Sequence, residues 1–130
     1  MSNIVISDLF AVAIGGSVGA MSRYAVSTMS ARRYAGAALP VGTLLVNLLG
    51  SFLLGLLWGQ AELIHEKVYV LLGTGFLGAF TTFSTFKVET EAMLHKGSRR
   101  TAAAYIAISY VAGVLLAWLG YMLSDFAFGL

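Results

Sequence analysis

Three stretches without a single charged side chain, Tyr34–Ala61, Val68–Phe86 and Thr101–Ser124, dominate the sequence. Crossing the hydrocarbon of a bilayer takes about 20 predominantly apolar residues, with a range of about 17–25, so each can span a membrane. A fourth run, Leu9–Ser22, has only 14 uncharged residues. Arg23 closes it near an interface, where a long side chain can snorkel while Tyr24–Met29 complete the span. The chain therefore reads as four transmembrane helices joined by connections near Ser30–Pro40, Glu62–Lys67 and Leu94–Arg100.

Composition narrows the class further. Of 130 residues, 58% are hydrophobic and 11% charged, against about 25% charged in a soluble domain. That shortage excludes a soluble enzyme, and the basic residues stand at segment ends instead of forming a face, so nucleic acid is no partner. Membrane lipid is the expected solvent. The absence of cysteine removes disulfides and thiolate chemistry. Asp8 precedes the first apolar run and no basic region leads it, so helix one reads as a retained anchor rather than a signal peptide. One four-helix domain over residues 1–130 is expected, without internal repeats.

Loop charge sets an orientation. Arg32, Arg33, Lys96, Arg99 and Arg100 lie on one side against Lys67 on the other, a bias of five to one that by itself puts both termini outside. A four-helix bundle fills its own centre with side chains, so a chain this short moves a solute only as an oligomer. Gly15/Gly19 and Gly55/Gly59 offer small faces for close contact, either within one subunit or at a dimer seam.

Polar groups within apolar runs are the informative residues, because in lipid they must face protein, water or a ligand. Thr43, Asn47 and Ser51 share one stripe of helix two and read equally as interhelical glue or as a solute path. Tyr105 and Ser109 share a face of helix four, where ordinary packing is the first reading. Helix three runs through Gly73, Gly75 and Gly78 into Thr81-Thr82-Phe83-Ser84-Thr85-Phe86, a poor helix former expected to break in mid-membrane. Carbonyls exposed by such a break, with no carboxylate beside them, suit a hard cation such as Na⁺.

Other patterns fall away. Gly73-Thr74-Gly75-Phe76-Leu77-Gly78 matches a dinucleotide fingerprint but lacks the βαβ context and the acidic residue that give it meaning. His65 and His95 belong to opposite sides. Glu62, Glu66, Glu89 and Glu91 sit at or beyond segment ends, so no carboxylate of a proton-coupled pump is expected at mid-depth.

Gly42-Thr43-Leu44-Leu45-Val46-Asn47-Leu48-Leu49-Gly50, the glycine string of helix three, Thr81-Thr82-Phe83-Ser84-Thr85-Phe86, Gly19-Ala20-Met21-Ser22-Arg23 and the Tyr105/Ser109 pair together resemble the Fluc (CrcB) family of fluoride channels. The similarity covers nearly the whole chain. It implies an all-α membrane protein of four transmembrane helices, the third broken at mid-membrane, that assembles as an antiparallel dual-topology dimer with two pores. It also implies passive export of fluoride from a bacterial inner membrane, protecting the cell against fluoride toxicity, and no enzyme activity. By the same resemblance a structural Na⁺ is held by the main-chain carbonyls of Gly78 and Thr81. Asn47, Phe83 and Phe86 take the places of the family's pore residues, with Thr43, Ser84, Tyr105 and Ser109 on polar positions.

Chemistry agrees with those residue types. A pore must replace the water of a small, strongly hydrated anion without trapping it; neutral amides and hydroxyls are moderate donors, and a phenyl ring has an electropositive edge. Without the resemblance, Phe83 and Phe86 would read as core packing. The expected partner is a second copy of the chain; given the charge bias, the alternative is an oppositely oriented homologue. Arg23 and Glu89 are expected to approach each other at a pore mouth, or else to be solvated separately, and Lys87 lies in a vestibule or snorkels. The competing functions are a small multidrug-type exporter, which needs a carboxylate in helix one that is missing here, and a non-transporting subunit.

Overall fold

The computed structural model describes residues 2–129 and is helical throughout its ordered elements. Helix α1 covers Ser2–Arg33 and α2 covers Val41–Gly59. The third span opens with α3, Glu66–Tyr69, continues as a π-helical segment, Val70–Leu77, and ends its first half with α4, Gly78–Phe80. After Thr81 and Thr82 the chain resumes as α5, Phe83–His95, and α6 covers Arg99–Phe128. Four helical stretches, Asn3–Arg33, Val41–Gly59, Glu66–His95 and Arg99–Phe128, are long and apolar enough to cross a membrane. The shortest has 19 residues, about 28 Å at 1.5 Å per residue, which matches a hydrocarbon core of about 30 Å.

The bend in the third span lies later than its glycines. Gly73 and Gly75 stay helical within the wide π-turns, whereas Thr81 (φ −80°, ψ 160°) and Thr82 (φ −147°, ψ 121°) are extended. Thr82 then restarts the helix, its Oγ1 accepting the Thr85 N–H at 3.2 Å as an N-cap. Two β-branched residues that favour extended backbone thus do what glycine alone does not. The span also continues past the uncharged run to His95, which puts Glu89 inside a helix rather than beyond its end. The connections shorten accordingly, and α5 closes on Gly97 (φ 79°) with Ser98 N bonded to Met93 O and Gly97 N to Leu94 O, a Schellman motif that only a residue tolerant of positive φ completes cheaply.

Small residues govern packing. Side chains at Gly15 and Gly19 of α1 would collide with the Leu71 and Phe76 carbonyls of the π-helical segment; side chains at Gly55 and Gly120 would collide with the Ala117 and Phe52 carbonyls across the α2–α6 contact. Both glycine pairs singled out in the sequence therefore face neighbours within one chain, and close backbone approach is their use. Val46 and Tyr105 are fully buried, with Ala102, Phe80, Leu77 and Phe86 beside them in a thin core. The accessible surface is 8779 Å², well above the roughly 6,600 Å² expected of a soluble protein of this mass. Exposed large hydrophobic side chains, Phe10, Met21, Trp58, Val114 and Trp118 among them, contribute to that excess as a surface for lipid or for a second protein.

Candidate functional site

A cleft of about 500 Å³ runs between α2, the bend of the third span and α6, lined by Asn47, Ser51, Gly78, Thr81, Thr82, Phe83, Phe86, Ser109 and Tyr110 among others. Its lining includes the Asn47 amide. Asn47 Nδ2 donates to the Thr82 carbonyl at 2.9 Å and Oδ1 accepts the Thr82 N–H at 2.8 Å, so a side chain of α2 completes the backbone where the helix is open. One N–H of the amide remains for the cleft.

Several cleft hydroxyls are already committed. Ser51 Oγ donates to the Asn47 carbonyl and Thr81 Oγ1 to the Leu77 carbonyl. Ser109 and Tyr110 bring hydroxyls that make no hydrogen bond to other described residues. Phe86 is almost buried and Phe83 two-thirds exposed. The Phe86 ring is enclosed by three others, with centroids 5.0 Å from Tyr105, 6.0 Å from Phe83 and 6.0 Å from Tyr110 at an interplanar angle of 83°. Tyr110 was not distinguishable in the sequence, since nothing in its spacing separates it from a lipid-facing tyrosine.

Thr43 and Tyr105 stand behind the cleft. Thr43 Oγ1 donates to Glu89 Oε1 and Tyr105 OH to Glu89 Oε2, each at 2.8 Å, tying α2 and α6 to α5. Both Thr43 and Tyr105 are buried. Ser84 lies on α5 outside the cleft lining, its Oγ 3.3 Å from Thr82 Oγ1.

Among the described residues Arg23 and Glu89 make no direct ion pair. Arg23 Nη1 reaches the Thr81 carbonyl at 3.3 Å, while both Glu89 oxygens are taken by hydroxyls. The first half of α5 separates the two partners. The ion pair among the described residues is instead Lys87 with Glu91, at 4.0 Å and exposed. At the far end, Gln60 Nε2 donates to Ser124 O and Oγ, and Ser124 Oγ to Leu56 O, a clamp between α2 and α6.

A four-span membrane protein with a bent third span and a cleft holding neutral donors and aromatic rings has the build of a channel or carrier. Residues 10–121 match the family described as CrcB-like protein, Camphor Resistance (CrcB), and the chain belongs to it. It is 54% identical over 110 residues to the fluoride-specific ion channel FluC 1 of Geobacillus kaustophilus, covering 85% of this chain and 91% of that protein. The fluoride-specific ion channel FluC 2 of Moorella thermoacetica is 46% identical over 112 residues, 85% of this chain and 91% of that protein. FluC of Shewanella woodyi is 40% identical over 119 residues, 90% of this chain and 95% of that protein.

Proposed function

We propose that this chain is a fluoride channel of the bacterial plasma membrane, a single domain over its whole length that lets the anion leave the cell passively. The observation that carries the reading is the 54% identity, across most of both chains, to a fluoride-specific channel. The geometry is consistent with it. Fluoride sheds hydration only where donors replace it, yet leaves only where they hold it loosely, and a cleft of amide N–H, hydroxyls and ring edges meets both conditions. Asn47 and Ser109 supply donors and Phe83 and Phe86 supply ring edges, while Ser84, Thr43 and Tyr105 lie beyond the cleft lining, the last two with their hydroxyls donated to Glu89.

The partner in this reading is a second, antiparallel copy. Phe83, Tyr110 and Val114 expose aromatic and aliphatic surface around a mostly apolar cleft that holds the Asn47 amide and the Ser109 hydroxyl, and such donors need a partner other than lipid. Sodium belongs to the same proposal, with Gly78 and Thr81 as its carbonyl ligands. Their chemistry fits a hard cation. The Thr82 N–H goes to Asn47 and not to Gly78, and the Thr81 carbonyl keeps a lone pair beyond its contact with Arg23. Two carbonyls are too few for a hard cation, and a second copy would bring the number to four. Bound there, sodium would supply fixed positive charge and join the two bends.

Reconstitution into liposomes tests the function. Fluoride efflux without chloride efflux is expected, and Asn47→Ala lowers it at least about tenfold, the scale of one or two hydrogen bonds, while the protein still elutes as an assembled dimer. Folded protein that passes no fluoride would overturn the reading.

A further inference from the structure

In an uninterrupted α-helix the Thr82 N–H would close on the carbonyl four residues earlier, that of Gly78. Here the donor is taken by Asn47 Oδ1 at 2.8 Å, and the Asn47 Nδ2 in turn binds the Thr82 carbonyl at 2.9 Å. A carbonyl released in an apolar medium needs a new partner. Gly78 itself is exposed, and a side chain there would meet nothing nearer than the Gly73 carbonyl at 3.8 Å, so tight packing does not account for the residue. What packing does account for is Gly50, one turn beyond Asn47, where a side chain would collide with Thr81 Cγ2. Gly50 lets α2 come close enough for Asn47 to reach the bend.

We propose that Asn47 is a positioning residue for the cation site: by pairing with both backbone atoms of Thr82 it diverts the N–H that would otherwise close on Gly78, and so leaves the Gly78 carbonyl free to bind sodium beside that of Thr81. The proposal rests on the sodium reading above. It gives Asn47 two tasks, an N–H for the anion on the cleft side and a backbone mimic on the other, so that loss of fluoride flux in an Asn47 variant does not by itself report a lost anion contact. Diverting the Thr82 N–H uses Oδ1, the bond to the Thr82 carbonyl uses one N–H of Nδ2, and the remaining N–H serves the first task.

The two tasks separate experimentally. Full-length protein is purified in sodium chloride or in N-methylglucamine chloride, and the thermal midpoint and dimer fraction are followed as sodium is added, for the wild type, Asn47→Ala and Asn47→Asp. Wild type is expected to gain stability with sodium. Asn47→Ala, lacking Oδ1, requires about tenfold more sodium for half its effect, the scale of one or two lost hydrogen bonds. Asn47→Asp keeps the acceptor for the Thr82 N–H but loses the donor to the Thr82 carbonyl, so its sodium response falls between those of the wild type and Asn47→Ala, and its charge abolishes fluoride flux. An Asn47→Ala protein with wild-type sodium dependence, or an Asn47→Asp protein without any, overturns the proposal. If Asn47→Ala does not fold, Asn47→Asp decides alone. A wild type indifferent to sodium rejects the cation site itself, and the positioning role with it, leaving the channel reading to the flux assay.

Discussion

The Tyr105 hydroxyl meets the Glu89 carboxylate at 2.8 Å, and this contact holds α6 to α5 behind the cleft. Thr43 grips the other carboxylate oxygen from α2 at 2.8 Å. Removing one donor leaves a partly buried charge under-solvated, at about 1.5–3 kcal/mol for a hydrogen bond to a charged group. Tyr105→Phe is expected to lower the thermal midpoint of purified protein, and Thr43→Val to do likewise. Because the two donors share one acceptor group, the double variant departs from the sum of the singles. An unchanged midpoint in Tyr105→Phe would show that the contact does not brace the wall.

Gly120 and Gly113 lie on the same helix but differ in what surrounds them. A side chain at Gly120 would collide with the Phe52 carbonyl and approach Leu56 N at 3.0 Å, whereas one at Gly113 meets only Ser51 Oγ at 3.5 Å. Gly120→Ala forces α2 and α6 apart and costs about 1–3 kcal/mol, as overpacking does. Gly113→Ser is tolerated and adds a hydroxyl to the cleft. Thermal unfolding of the two variants side by side checks the contrast; equal destabilisation would refute it.

Phe83 and Phe86 separate ring chemistry from core packing. Phe86 is 8% exposed and Phe83 67%, so Phe86→Ala loses about 3–5 kcal/mol of stability along with flux. Phe83→Ile keeps apolar bulk but removes the ring edge. Liposome flux should fall by up to about tenfold in Phe83→Ile, one ring contact of about 0.5–1.5 kcal/mol, without change in elution volume. Undiminished flux would remove Phe83 from the anion path.

An antiparallel homodimer requires the chain to insert both ways. Tags at either terminus, probed in intact cells and in lysates, are expected to be half accessible from each side. Uniform accessibility would instead match the bias of five basic loop residues to one and point to an oppositely oriented homologue as partner.

The four spans were legible because membrane partition is a local property: about 20 apolar residues suffice wherever they lie in a chain. Asn47, Thr43 and Ser109 were legible as polar groups in the wrong solvent. Helix continuation through Glu89 was not, because the charge ended the apolar run before it ended the helix. Thr82 stood in the hydroxyl string without distinction, although a threonine three residues before Thr85 is a plausible cap.

Partners were the part that no local pattern carried. The sequence alone determined that this chain is a four-helix membrane protein with neutral polarity buried in it and with a third span ill suited to an unbroken helix. Tertiary structure decided that the bend falls at Thr81–Thr82 and not at the glycines. It also decided that Asn47 completes the backbone of that bend, that Glu89 is shared by Thr43 and Tyr105, and that Arg23 turns to the Thr81 carbonyl instead of to Glu89. Such pairings join residues far apart in the chain. Their choice depends on how closely glycines let the helices approach, a quantity that hydrophobic pattern and residue type leave open.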